Sequence, residues 1–282
     1  MRTLVTGGAG FIGSHLARRL VGQGEEVVVL DSLEGQVHGG ADPSLAGGVT
    51  LVRGDVGDVE AVDRALAGVD RVVHLAAAVG VGQSMYEIDR YVRRNTMATA
   101  TFLERVVAAS PRPSRLVVAS SMSIYGEGEY ECPEHGRVAP GPRSESQLLA
   151  RRWECRCPTC ESVVAPVATR ESKPLIPTSI YAITKRDHEE LCLVTGRAYG
   201  IPTVGLRVFN VYGPGQSLAN RTRALPPSWR PGFSTGTLRS SSRTAINRVT
   251  SSMSRTSSRA FCGRLCPSRR WTARSTSAAG GR

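Results

Sequence analysis

The chain has 282 residues, 40% of them hydrophobic, with 36 basic and 24 acidic side chains and a formal charge of +12. No run approaches the ~18 apolar residues of a membrane-spanning helix, which excludes that class. Nor does the charge mark the whole fold as a nucleic-acid binder: residues 221–282 hold 13 Arg and no Lys, Asp or Glu, leaving 23 basic and 24 acidic residues in 1–220 and a net charge of −1 there.

The first element is a short apolar run, Leu4-Val5, so no secretory leader is expected and the expected compartment is cytoplasmic. Thr6-Gly7-Gly8-Ala9-Gly10-Phe11-Ile12-Gly13 follows, then an amphipathic segment from Phe11 to Leu20. Strand, glycine turn and helix make a dinucleotide-binding fingerprint credible. Gly8, Gly10 and Gly13 fit G-x-G-x-x-G, and Gly7, Gly10 and Gly13 fit a wider spacing. Both patterns place a pyrophosphate on free N–H groups at a helix N-terminus.

Glu26 to Leu30 reads as a second strand, ending in Asp31, 18 residues beyond Gly13. A carboxylate at about that spacing binds a ribose 2′-hydroxyl and repels a 2′-phosphate, which favours NAD over NADP. The plainer reading of Asp31 is a turn or cap residue. Val49 to Val52 is a third strand, followed by Asp55-Val56, and 59–67 reads as a helix. Arg71 to Leu75 is a fourth strand, closed by Ala76-Ala77-Ala78; 85–109 is a long helical stretch carrying Asn95. Leu116 to Ala119 is a fifth strand, leading into Ser120-Ser121. Alternating strands and helices predict an α/β, Rossmann-like doubly wound parallel sheet with ligands beyond the strand C-termini.

Residues 127–177 break the pattern and read as an insertion without periodicity. Of the seven cysteines, four fall between 132 and 160. Cys132-x-x-His135 and Cys157-x-x-Cys160 together offer four ligands for a tetrahedral structural zinc, with Cys155 as a rival ligand. Tyr181-Ala182-Ile183-Thr184-Lys185 then opens a helix over 178–199. Tyr181 and Lys185 stand one turn apart on one face. An ammonium beside a phenol stabilises the phenolate, which can take a proton from a substrate hydroxyl, and Ser121 can hydrogen-bond the same oxygen. Thr203 to Val208 is a sixth strand, ending in Asn210-Val211-Tyr212-Gly213-Pro214.

On these motifs, together with His74-Leu75-Ala76-Ala77 and Leu206-Arg207-Val208-Phe209-Asn210, residues 1–219 resemble the extended short-chain dehydrogenase/reductase family, specifically its NAD-dependent nucleotide-sugar epimerases and dehydratases. The resemblance implies NAD contacts at Gly7, Gly10, Phe11, Ile12, Gly13, Asp31, Asp55, Val56, Leu75, Ala76, Ala77, Asn95, Tyr181 and Lys185. It implies catalytic roles for Ser121, Tyr181 and Lys185, and sugar-nucleotide contacts from Ser121 and Asn210. It also implies a homodimer built from the helices near 85–109 and 178–199. The 4,6-dehydratases of the family carry an Asp-Glu pair where this chain has Met122 and Ser123, so the resemblance favours an epimerase, with other family dehydratases or reductases as the alternative. The stretches 78–88 and 213–220 and the Cys/His insertion are similar to dTDP-L-rhamnose 4-epimerases.

The resemblance stops at Asn220. Family members continue with a domain that closes over the sugar nucleotide, whereas 220–282 is an Arg/Ser-rich tail expected to lack order. It reads as a basic nucleic-acid-binding tail on a non-catalytic protein, a linker, or an out-of-frame translation. The third reading is favoured. Re-read one base over through chosen synonymous codons, Arg221–Ala224, Arg239–Ala245 and Thr250–Ser258 yield Pro-Tyr-Thr-Gly, Val-Val-Phe-Glu-Asp-Gly and Asp-Phe-Val-His-Val-Glu-Asp-Val, strings similar to segments of that domain. A nucleic-acid partner is therefore not expected, and NAD affinity and turnover are expected to be low.

Overall fold

The computed structural model describes residues 1–39 and 45–216. In chain order the elements are β1 (Arg2–Thr6), α1 (Phe11–Val21), β2 (Glu26–Asp31), α2 (Gly35–His38), β3 (Val49–Arg53), α3 (Val59–Leu66), β4 (Arg71–His74), α4 (Val81–Ser84) and α5 (Ile88–Tyr91). A π-helical segment, Val92–Met97, joins α5 to α6 (Ala98–Ala108), and β5 (Arg115–Ser121) ends in a 3₁₀ turn, Met122–Tyr125. Then come β6 (Glu129–Cys132), β7 (Gly136–Val138), α7 (Glu145–Leu149), β8 (Ala165–Val167), α8 (Ile180–Tyr199) and β9 (Thr203–Val208).

Six strands form one parallel sheet in the order β3-β2-β1-β4-β5-β9. The order reverses direction beside β1, so a crevice opens there at the strand C-termini. Strand period two explains the two cores. Leu4, Val28, Leu30, Val72, Leu116 and Val118 face α3, α6 and α8, where Val62, Leu66, Phe102, Val106 and Cys192 pack on them. Their neighbours Val5, Val29, Val73 and Val117 face the other way, onto Leu16, Ala17 and Leu20 of α1.

Helix starts are set locally. The Asp58 carboxylate accepts the N–H groups of Glu60 and Ala61 at the head of α3. The Ser179 hydroxyl accepts the N–H of Ala182 at the head of α8, and Gly200 closes that helix at φ +69°. Such a cap contributes about 1 kcal/mol.

The helical stretch expected over 85–109 runs unbroken from Ile88 to Ala108, its turns widened to π geometry over Val92–Met97. The wider π turn is where Asn95 points inward, fully buried. The insertion is not irregular: β6, β7 and β8 make a small antiparallel sheet in the order β7-β6-β8. Strands of three or four residues are too short to show a period. The Arg/Ser-rich stretch from 220 lies outside the described residues.

Candidate active site

The glycine turn sits between β1 and α1 under strict steric terms. A Cβ on Gly13 would lie 2.3 Å from the Gly7 carbonyl oxygen and 2.5 Å from the Gly8 Cα. One on Gly8 would meet Val29 at 2.5 Å, and Gly7, at φ +66°, faces the backbone of Ala76 at 2.8 Å. Gly10 meets only the Gly7 oxygen at 3.3 Å, so its outer side is open to an approaching group. The first N–H groups of α1, from Phe11 to Gly13, have no carbonyl one turn back within the helix. Both glycine spacings seen in the sequence are thus used: Gly7, Gly8 and Gly13 by packing, Gly10 by access.

Asp31 ends β2 nearly buried, and its carboxylate accepts the N–H of Ala9 at 3.0 Å and of Leu33 at 2.9 Å, with His38 3.6 Å away. It is both the turn residue of the plainer reading and a carboxylate tied to the glycine loop. Asp55, after β3, accepts the Gly57 N–H at 2.8 Å. The Val56 side chain belongs to the core, leaving its backbone as the group available to a ligand. After β4, the N–H groups of Leu75 and Ala76 both reach Thr6 Oγ1 at 3.2 Å, and Ala77 is half-buried beside them.

Asn95 faces inward from the π segment. Its Oδ1 accepts the Ala78 N–H at 2.7 Å, and its Nδ2 donates to the Ala78 carbonyl at 3.1 Å and to Thr184 Oγ1 at 3.0 Å. Fully buried and engaged at both ends of its amide, it works as a positioning residue that pins the loop after β4 to α8.

Ser121, at the end of β5, meets the head of α8. Its hydroxyl accepts the Ser123 N–H at 3.2 Å and lies 2.8 Å from Ser123 Oγ, and it faces the Tyr181 phenol closely enough to lower its pKa. The Tyr181 N–H donates to Ser84 Oγ at 3.0 Å, and the Tyr91 ring packs edge-on against Tyr181 at 6.5 Å. Burial pushes the Tyr181 phenol up, and Ser121 pulls it back. Burial pulls Lys185 down to about 8, with Cys192 and Glu189 opposing.

Lys185 is one end of a buried chain that sequence reading missed. Its Nζ lies 3.0 Å from His188 Nδ1; His188 Nε2 lies 2.7 Å from His74 Nε2; His74 Nδ1 lies 2.7 Å from Thr6 Oγ1. Thr6 Oγ1 already accepts two backbone N–H groups, which leaves its proton for His74 Nδ1. His74 then donates from Nε2 to His188, and His188 donates from Nδ1 to an uncharged Lys185. An ammonium at Lys185 donates to His188 Nδ1 instead. The sequence signal was the i, i+3 spacing of Lys185 and His188, which means nothing until β4 brings His74 beneath it.

Glu189 forms the other anchor. It takes Arg207 Nη2 at 2.7 Å and Nε at 3.1 Å, while Arg207 Nη1 donates to Tyr125 Oη at 2.9 Å. These bonds tie α8, β9 and the turn after β5 together, and they hold the Arg207 guanidinium protonated above its ordinary range. Asn210 lies beyond β9 on the same edge of the sheet, exposed. The structure thus brings Ser121, Tyr181, Lys185, the glycine turn and Leu75–Ala77 to one crevice, with Asp31 and Asp55 at the ends of β2 and β3.

A doubly wound sheet with this glycine turn at the C-terminal ends of its strands defines a dinucleotide-binding domain, with a serine, a tyrosine and a lysine gathered at the same edge. The model of the NAD dependent epimerase/dehydratase family matches residues 3–146 and 159–236, and the chain belongs to that family. The match runs past Asn220, where the sequence reading ends the resemblance. The dTDP-L-rhamnose 4-epimerase of Burkholderia thailandensis is 35% identical over 223 residues, 78% of this chain and 60% of that protein. The UDP-glucose 4-epimerase of Halalkalibacterium halodurans is 32% identical, over 76% of this chain and 52% of that one. Among solved structures, the Thermus thermophilus UDP-glucose 4-epimerase complex with NAD superposes with a TM-score of 0.58 at 32% identity, covering 78% of this chain and 60% of that one. The chain spans 60% or less of the length of these relatives. No helix among the described residues is long and apolar enough to cross a membrane.

Proposed function

We propose that this chain carries the NAD-binding and proton-transfer half of a nucleotide-sugar 4-epimerase acting on a dTDP-L-rhamnose-like substrate. The observation that carries this reading is the meeting of Ser121 with Tyr181 at the end of β5, with Lys185 one turn further along α8. The residues also fit the cofactor. The packed glycines leave Gly10 open beside the free N–H groups of α1, and Asp31 offers a carboxylate to a ribose hydroxyl.

NAD, when bound, supplies reversible oxidation at the sugar C4. The protein's part is the proton. Tyr181 takes it from the 4-hydroxyl, Ser121 holds the same oxygen, and Lys185 supplies positive charge that favours the phenolate. Met122 and Ser123 hold no acid or base at the positions that match the Asp-Glu pair of family dehydratases, which supports epimerisation over dehydration. The same site admits the other members of the family as a second reading, and incubation with the 4,6-dehydratase substrate distinguishes them.

Incubation with NAD and dTDP-L-rhamnose, followed by NMR of the recovered sugar, tests the proposal. The 220–282 reading predicts slow turnover by this chain and faster turnover once an in-frame family-type covering domain follows Asn220. Tyr181→Phe should abolish both. Absence of the 4-epimer from the extended chain would sink the epimerase reading; fast turnover by the chain as it stands would sink only the reading of the tail.

A second copy of the chain is the proposed partner, through the helices near 85–109 and 178–199. Tyr86, Ile88, Met97, Ile183 and Val194 are large apolar side chains exposed along them. Sedimentation of wild type and of Met97→Lys, with loss of the dimer in the variant, checks this.

A further inference from the structure

We propose that Cys132, His135, Cys157 and Cys160 bind one structural zinc ion that braces the insertion between the two halves of the active site. Two separate turns build the site. Cys132 ends β6 and pairs with Gly136 across a tight hairpin whose tip carries His135. Cys157 and Cys160 lie on a second hairpin, closed by the Arg156–Val163 bridge, by the Cys157 N–H donating to the Ser162 carbonyl at 2.8 Å, and by the Glu161 N–H donating to the Cys157 carbonyl at 3.0 Å. The four ligand atoms lie within 4.8 Å of one another.

The spacing is that of a coordination shell. Zn–S bonds of about 2.3 Å and a Zn–N bond of about 2.0–2.1 Å in a tetrahedron put ligand atoms about 3.5–3.8 Å apart. Cys132 Sγ lies 3.6 Å from both His135 Nδ1 and Cys160 Sγ, and Cys157 Sγ lies 3.7 Å from His135 Nδ1. The surrounding donors suit thiolates: the Thr159 N–H reaches Cys157 Sγ at 3.5 Å, and Ser162 Oγ lies 3.0 Å from Cys160 Sγ. Cys155 is not part of the set. It points to Glu127 at 4.0 Å and to the Tyr130 side chain, which settles the rival-ligand question left by the sequence.

Energetics give the ion a task. The apolar cluster of this small sheet holds five buried residues, Tyr130, Cys132, Cys155, Cys157 and Val164, and two of them are proposed ligands. So small a core needs a staple. The insertion leaves the main fold just after the Ser121 turn and returns just before Tyr181. Its neck is tight: Gly126, at φ +69°, lies so close to the Ile176 carbonyl that a Cβ would sit 2.2 Å from it, and Lys173 Nζ donates to the Tyr125 carbonyl at 2.7 Å. A zinc ion that fixes the insertion therefore also holds the approach to Ser121 and Tyr181.

The test is elemental analysis of the full chain purified without chelator, beside Cys160→Ser and Cys155→Ser. The expected result is about one zinc per chain in wild type and Cys155→Ser, and loss of it in Cys160→Ser. Because Cys160→Ser can fail by misfolding, chelator-treated wild type is also titrated with cobalt(II). A visible spectrum of tetrahedral thiolate coordination, displaced by an equimolar amount of zinc, is expected, and chelation should open the insertion to protease. A folded wild-type chain that takes up neither metal, iron in place of zinc, or metal lost equally in Cys155→Ser overturns the assignment.

Discussion

Acid should weaken this fold through its buried histidines before it weakens it through carboxylates. His74 is fully buried between Thr6, Phe102 and His188, and burial, reinforced by Lys185, pulls its pKa from 6.5 down to about 3. The unfolded chain takes up this proton near 6.5 and the folded chain only near 3. Between those values the unfolded state binds more protons, so stability falls as pH falls. From 6.5 down to about pH 5 the loss is roughly 2 kcal/mol for His74, an order-of-magnitude figure at about 1.4 kcal/mol per pH unit. His188, lowered by burial, Lys185 and His74, acts in the same sense. Other groups facing this chain stay outside that window or pair off: Cys192 is pushed up to about 12 by burial, Lys185 is drawn down to about 8, and Glu189 is held by Arg207. Urea denaturation at about pH 7 and about pH 5 measures the loss, and His74→Gln should remove roughly 2 kcal/mol of the difference. Imidazole ¹⁵N shifts give an independent readout, with His74 and His188 uncharged through that range. An identical pH slope in wild type and His74→Gln, or a His74 signal that titrates near its ordinary value, would refute the reasoning.

Other perturbations follow from particular contacts. Gly13→Ala drives a methyl group to 2.3 Å from the Gly7 oxygen, and should cost about 1–3 kcal/mol in denaturation while abolishing NAD binding measured by calorimetry. Retained affinity at wild-type stability would mean that the turn yields to a methyl group. Asn95→Ala strands the Ala78 N–H and carbonyl and should cost about 1–3 kcal/mol or more, read from the urea midpoint, whereas a neutral result would show that water replaces the amide freely. Glu189→Gln leaves a partly exposed Arg207 guanidinium without its carboxylate, so the loss should fall near the low end of the range for broken buried pairs, about 3 kcal/mol, and a double cycle with Arg207→Met should recover part of it.

Period and spacing made the parallel sheet readable. Val27 to Leu30, Val72-Val73 and Leu116 to Val118 are β-branched or aliphatic runs buried on both faces, and such runs announce themselves without any tertiary information. The glycine turn was readable for the same reason, since three positions that tolerate no Cβ leave three glycines in register. The insertion was not, because its strands of three and four residues carry too few side chains to display a period. Its two Cys/His pairs were legible as one candidate set, whereas the turn of Cys155 away toward Glu127 was not.

Local chemistry therefore determined the strands, the dinucleotide turn, the Tyr181–Lys185 pair on one helix face and two candidate metal-binding turns. Tertiary structure alone decided what stands beside them. It set His74 of β4 against His188 of α8, turned Asn95 inward to pin Ala78, and aimed Ser84 at the Tyr181 N–H. The physical reason is one of range. Periodicity and steric rules act over a few residues, whereas these contacts join groups 114, 17 and 97 residues apart, and burial shifts a titrating group only after the chain has closed around it.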